Sequence, residues 1–162
     1  MSLAALTFSV EPSRVVILGQ SPEGIVHGAY EIPRLNTFEG GLVLRRGYIA
    51  AERENRGFGS QLFAGVTRVL EQVAFELDRP LDHFPETSFR HTTNFFLKRG
   101  YVVVKEVDSL PTATYYLKKE ILPRNHELTP NERAIVAAIR RIPLLEQTDL
   151  ADPSYHTQWQ TI

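Results

Sequence analysis

The feature that most restricts the fold is a change in apolar period midway along the chain. Up to Ala50 the apolar residues fall in short runs separated by turn residues, the signature of strands. From Leu62 they recur as Leu62, Val66, Val69, Leu70, Val73 and Leu77, with Phe63 broadening the stripe, and this spacing of three and four belongs to an amphipathic helix. Between the two regimes lies ERENRGFG, residues 52–59, charged at first and then glycine-containing. A chain that runs from strands through such a turn into one long helix, and then returns to strands, makes neither a helix bundle nor a closed barrel. It calls for an α/β fold, a mixed central sheet flanked by helices with at least one right-handed crossover.

The other segments fill in that outline. Residues 15–18 and 25–32 read as an antiparallel hairpin closed by Ser21-Pro22-Glu23-Gly24, where proline presets one dihedral and glycine accepts positive φ. Residues 42–50 form a third strand, entered through Gly40-Gly41. Asp78-Arg79-Pro80 ends the long helix, since proline cannot continue its hydrogen-bond ladder. A short strand is expected at 81–84. Ser88 caps a helix carrying Phe89, Thr92, Thr93, Phe96 and Leu97, which Gly100 ends. Residues 101–104 and the segment TATYYLKK form a last hairpin. Near the C-terminus Thr129, Pro130 and Glu132 combine a capping box with proline at the first helical position, ahead of Ala134, Ile135, Ala138 and Ile139. The 162 residues suffice for one core. Residues 1–122 are therefore expected to be the main domain, with 123–162 an accessory helix and tail that packs on the core or on a partner subunit.

Charge and composition remove several functions. A formal net charge of −1 provides no global attraction for nucleic acid or an acidic membrane. The segment RHTTNFFLKRG mixes basic and aromatic residues, but its aromatics also suit a helix core, so no nucleic-acid partner is expected. The absence of cysteine excludes disulfides, cysteine nucleophiles and thiolate metal sites. The five histidines have no ligand-like spacing, so no metal is expected. No apolar run approaches membrane-spanning length, and the opening MSLAALTFSV makes a poor signal peptide. The expectation is a cytoplasmic protein with no membrane partner.

The candidate site is the stretch from Gly47 to Leu62. The unpaired N–H groups at the start of a helix can cradle a phosphate, and the helix dipole favours its negative charge. Gly57 and Gly59 permit close backbone approach, and Arg56 adds a charge-assisted contact. A structural turn without any ligand explains the same local sequence.

Glu54-Asn55-Arg56-Gly57-Phe58-Gly59 resembles the Gln/Arg-x-x-Gly-x-Gly/Ala turn of the GNAT (Gcn5-related N-acetyltransferase) superfamily, with Glu54 in place of the usual Gln or Arg. Farther on, Phe96-Leu97-Lys98-Arg99-Gly100-Tyr101 resembles the family's Tyr-x-Lys-x-Gly-Phe, with phenylalanine at the tyrosine position. The resemblance spans residues 14–119. It implies acetyl-CoA as cosubstrate, its diphosphate held by Arg56, Gly57, Phe58, Gly59, Ser60 and Gln61, and its pantetheine arm along the strand edge Tyr48, Ile49, Ala50 and Ala51. It also implies transfer of an acetyl group to a small-molecule or peptide amine. The chain lacks room before its first hairpin for the family's usual first strand and the two helices after it, which shape the acceptor pocket. Phe96 cannot donate a proton to a departing thiolate, as the family's tyrosine does.

Direct acyl transfer needs a proton acceptor for the amine. Glu52, beside the turn, is the first candidate for this catalytic role. His83 is the second, because it falls at the end of a parallel strand, where α/β clefts commonly open. His27, within the early hairpin, reads as structural. The competing readings are a cofactor-binding or regulatory domain with little turnover, and an interaction domain without a cofactor. A homodimer is expected if the short N-terminal side leaves an apolar edge to cover.

Overall fold

The computed structural model describes residues 5–38, 41–45, 48–51, 57–87, 90–109 and 112–146. The chain begins with strand β1 (Ala5–Glu11), which turns back through Pro12 and Ser13 into β2 (Arg14–Gln20), and β2 is followed by β3 (Val26–Pro33). The three strands are consecutive antiparallel neighbours. The turn between β2 and β3 behaves as its residues dictate. The Ser21 N–H donates to Ile25 O at 2.9 Å, and Gly24 takes the positive φ of 81°. Strand β1 was not expected from the sequence, because its alternation is weak and leucine and alanine do not favour strands. Its presence corrects the expectation that there is no room for a strand before the hairpin. The two-residue turn into β2 leaves no space for helices between them.

The segment expected as one strand at 42–50 is divided. After β4 (Asn36–Phe38), β5 (Gly41–Arg45) pairs antiparallel with β4 and parallel with β7 (Leu81–Phe84). Strand β6 (Tyr48–Ala51) instead pairs antiparallel with β3. The molecule thus has two sheets among its described residues. One has the order β1-β2-β3-β6, and the other is built from β5, β7 and the C-terminal strands. Beyond β7, Pro85 breaks the strand, and β8 (Glu86–Thr87) stays on β10 (Thr112–Ile121) instead of approaching β6. Strand β9 (Val102–Ser109) covers the far edge of β10, and β11 (Leu145–Glu146) adds in parallel to β4.

Helix α1 (Phe58–Glu76) packs across both sheets. Its periodic residues Leu62, Val66, Val69, Leu70 and Val73 are almost fully buried against Val15, Ile17, Tyr30, Leu42, Leu44 and Leu81. It ends where proline was expected to stop it, with Leu77 as C-cap and Asp78 at φ 54°. The second helix, α2 (Arg90–Leu97), brings Phe96 into the same core, and Gly100 (φ 87°) turns the chain into β9. Ser88 and Phe89, expected to begin that helix, lie outside the described residues. No described helix is long and apolar enough to cross a membrane.

Helix α3 (Pro130–Arg141) lies against α1, β1 and β2 of its own chain. Its capping box is complete. Thr129 Oγ1 accepts from the Glu132 N–H at 3.2 Å, and a Glu132 carboxylate oxygen accepts from the Thr129 N–H at 3.0 Å. Glu132 also pairs with Arg68 of α1 at 2.9 Å, and that guanidinium together with the capping contacts holds its carboxyl below the ordinary value despite the opposing effect of burial. Thr129→Ala is expected to lower stability by about 1 kcal/mol, read by urea unfolding, because one orphan helix donor loses its acceptor.

Candidate active site

The site forms where the two sheets part. Strand β6 has β3 as its one partner among the described residues and ends that sheet, while β7 and β8 pair within the other. An unpaired strand edge presents main-chain N–H and C=O groups to whatever enters. The sequence-predicted residues Tyr48, Ile49, Ala50 and Ala51 are this strand. Glu52 and Arg56 fall outside the described residues, as do 53–55.

The next element along the chain is α1, which packs against β6. Gly57 is the N-cap, in the left-handed region at φ 103° and ψ −19°, a conformation that glycine adopts without a Cβ penalty. No side chain among the described residues caps this end, and the first turn carries no acidic residue. The first intrahelical bond is Gln61 N–H to Gly57 O at 3.0 Å, so the N–H groups of Phe58, Gly59 and Ser60 precede the helical ladder. The contrast with α3 is informative: there a threonine, a proline and a glutamate close the end from within the chain. The α1 end has the donors and dipole of an anion site, with no internal anion among the described residues.

Phe58 anchors this turn. It is buried and stacks on His27 of β3, with ring centroids 4.6 Å apart and planes 18° apart. His27 reaches it through a β-bulge: Gly28 pairs with Gly19 and Val26 with Gln20, leaving His27 as the extra residue. Sequence reading gave His27 only a structural place in the hairpin. The available signal was Gly28 inside a strand, a common mark of a bulge.

His83 is brought to a different place from Gly57. Its ring is fully buried, with Nε2 2.6 Å from Tyr30 Oη and Nδ1 2.7 Å from Tyr101 Oη. A neutral imidazole has one N–H and one lone pair for hydrogen bonding, so one tyrosine donates to the ring and the other accepts from it. Burial, aided by the nearby Lys119 charge, pushes the imidazole down to about 3. Burial likewise raises both phenols. Such a group is neutral at pH 7 and a weak proton acceptor. The expectation that strand position would place His83 at a cleft mouth is corrected by its side-chain direction, which is inward.

Phe96 is 1% exposed and sits edge-on to Phe63, Phe95 and Tyr101, with centroids 5.4, 5.6 and 5.1 Å away. Arg99, just after α2, lies over the Phe95 ring at 3.5 Å and donates to Ser60 Oγ at 3.0 Å, which ties the α2 exit to the first turn of α1. This link across 39 residues was not foreseen from the sequence. Among the described residues there is no group of three His, Asp or Glu side chains placed to hold a metal.

No protein-family model and no curated protein sequence matches the chain. Solved structures do. A mutant form of spermidine N-acetyltransferase SpeG from Vibrio cholerae superposes with a TM-score of 0.50 at 12% identity, over 67% of this chain and 64% of SpeG, just under two thirds of that protein. The fold is the GNAT fold. A Desulfovibrio desulfuricans protein described as a GNAT-family acetyltransferase is similar at TM-score 0.48 and 16% identity, covering 67% of this chain and 70% of that one. Naa50 of Arabidopsis thaliana, in complex with the bisubstrate analogue CoA-Ac-MVNAL, is similar at TM-score 0.47 and 16% identity, covering 64% and 71%. Within the GNAT fold this chain has one strand before β2 and a C-terminal helix on that side of α1.

Proposed function

We propose that the chain is an acyltransferase that binds acetyl-CoA and passes the acetyl group directly to a small-molecule or peptide amine. The observation that carries this reading is the start of α1, a glycine-capped helix end that, among the described residues, has no acid or side-chain cap and lies against a strand unpaired on one edge. The amides of Gly57, Phe58, Gly59 and Ser60, with Arg56 and Gln61, hold the diphosphate. The β6 edge, Tyr48 to Ala51, hydrogen-bonds the pantetheine arm and polarises the thioester carbonyl. Glu52 takes the proton as the amine nitrogen attacks the carbonyl carbon and the C–S bond breaks. His83 serves by tying β7 to Tyr30 of β3 and to Tyr101 just before β9, since its low affinity for protons and its burial suit it to no exchange with the amine.

Phe96 supports a second reading, a domain that binds the cofactor with little turnover. Its buried ring has no proton for the leaving thiolate, which must then depart as the anion or take a proton from water.

Calorimetric titration with acetyl-CoA tests the binding step. One-site saturable binding is expected, weakened about 100-fold in Arg56→Glu, where charge reversal sets a carboxylate against the phosphates. No binding by folded, ligand-free protein would overturn the proposal. Thiol release over a panel of amines then separates the two readings: acceptor-dependent CoA release supports transfer, and binding without it supports the weak or inactive domain.

A further inference from the structure

We propose that the groove beside α1 is a second phosphate subsite, one that takes the ribose 3′-phosphate of CoA, and this assignment rests on the acetyl-CoA reading above. The groove encloses about 470 Å³ and is walled by Ser60, Ala64 and Thr67 of α1 together with Arg68, Arg99 and Lys119. Three cations therefore converge from three places: the middle of α1, the link between α2 and β9, and β10. No carboxylate is among the groove's lining residues.

The three cations are not equivalent. Arg68 is neutralised by Glu132 at 2.9 Å. Arg99 and Lys119 are held entirely by neutral groups. Arg99 lies 3.5 Å above the Phe95 ring and donates to Phe95 O at 2.8 Å and to Ser60 Oγ at 3.0 Å. Lys119 Nζ donates to the Arg99 carbonyl at 2.7 Å. Two like charges thus line one groove with no counter-ion from the described residues, an arrangement that favours the arrival of an anion. A guanidinium carries five donors, and these contacts use two. A planar fork and an ammonium lining the same groove suit a phosphomonoester, whose oxygens accept from both.

Position selects which phosphomonoester. Arg99 touches Ser60, in the first turn of α1, so the groove opens directly from the donors assigned to the diphosphate. In CoA the 5′-diphosphate and the 3′-phosphate are carried on one ribose. A single nucleotide therefore reaches both the helix end and the groove.

The test compares CoA with 3′-dephospho-CoA by calorimetry on the full chain. The wild-type protein is expected to bind CoA about 10- to 100-fold more tightly, the range of one or two charge-assisted hydrogen bonds. In Arg99→Gln and in Lys119→Gln that ratio is expected to fall toward one, with cooperative thermal unfolding confirming that each variant is folded. Equal affinities for the two nucleotides in the wild type, or an unchanged ratio in both variants, would overturn the proposal. Inorganic phosphate is titrated separately. Its binding in wild type and loss in Arg99→Gln, with CoA and dephospho-CoA held equally, would assign the groove to free phosphate and likewise overturn the cofactor assignment. Binding of neither nucleotide overturns the acetyl-CoA reading itself, an outcome distinct from loss of discrimination.

Discussion

His83→Leu is expected to lower the unfolding free energy by about 2–5 kcal/mol at pH 7, because it leaves two buried phenols with no hydrogen-bond partner. Leucine is close in volume to imidazole, so the loss comes mainly from the hydroxyls of Tyr30 and Tyr101, which the ring joins at 2.6 and 2.7 Å. Removing those hydroxyls as well, in the triple variant Tyr30→Phe, His83→Leu, Tyr101→Phe, is expected to recover much of the stability, since replacing all partners by apolar groups removes the unmet demand. Urea unfolding of the three proteins measures this; equal stabilities for wild type and His83→Leu would show that the network contributes nothing.

The same residue sets part of the acid response. His83 stays neutral in the native state down to about 3, whereas in the unfolded chain it protonates near its ordinary 6.5. Between those values the unfolded state binds the extra proton, so the stability associated with His83 is lost as the pH falls from about 6.5 toward 3, by up to about 1.4 kcal/mol per pH unit. Above that window His83 adds no slope. Carboxylates such as Glu132, held low in the native state, also lose stability in acid, and they do so in both proteins. The stability gap between wild type and His83→Leu is therefore the readout. It is expected to narrow steadily from pH 6.5 to pH 4, and a constant gap would show that the imidazole is protonated in the native state.

Ser60→Asp is expected to weaken acetyl-CoA binding about 100-fold while leaving the melting temperature equal or higher. The carboxylate would stand in the first turn of a helix that has no acid there, where it gains from the dipole and the orphan N–H groups. An anionic ligand wants the same groups. It would meet a like charge at the spot it should occupy, a penalty of roughly 3 kcal/mol, or two orders of magnitude in affinity. Arg99, which now donates to the Ser60 hydroxyl, would pair with the new carboxylate and be withdrawn from the ligand. The opposed signs separate a binding defect from a folding defect. A variant that binds acetyl-CoA as tightly as the wild type would show that the α1 turn holds no phosphate.

Sequence reading reached the elements whose information is local. The period of α1, its stop before Pro80, the β2–β3 hairpin and the capping box at Thr129 are each written within a few residues, because helical spacing and turn chemistry act over that range. The glycine turn at Gly57 was legible for the same reason, as was the strand before it. Less legible were β1, with its mixed composition, and the division of residues 41–51 between β5 and β6, which depends on which distant strand each half meets.

By itself, then, the sequence determined a strand, a glycine-containing turn and an amphipathic helix in that order, a context that suits an anion at the helix start. The tertiary structure alone decided that β6 would end its sheet, that the strand-end histidine would turn inward between two tyrosines, and that Arg99 would meet Ser60 and Lys119 the Arg99 carbonyl. Strand partners and side-chain direction in a sheet are set by register between segments tens of residues apart, and a shift of one residue reverses every side chain. No short window of sequence holds that information.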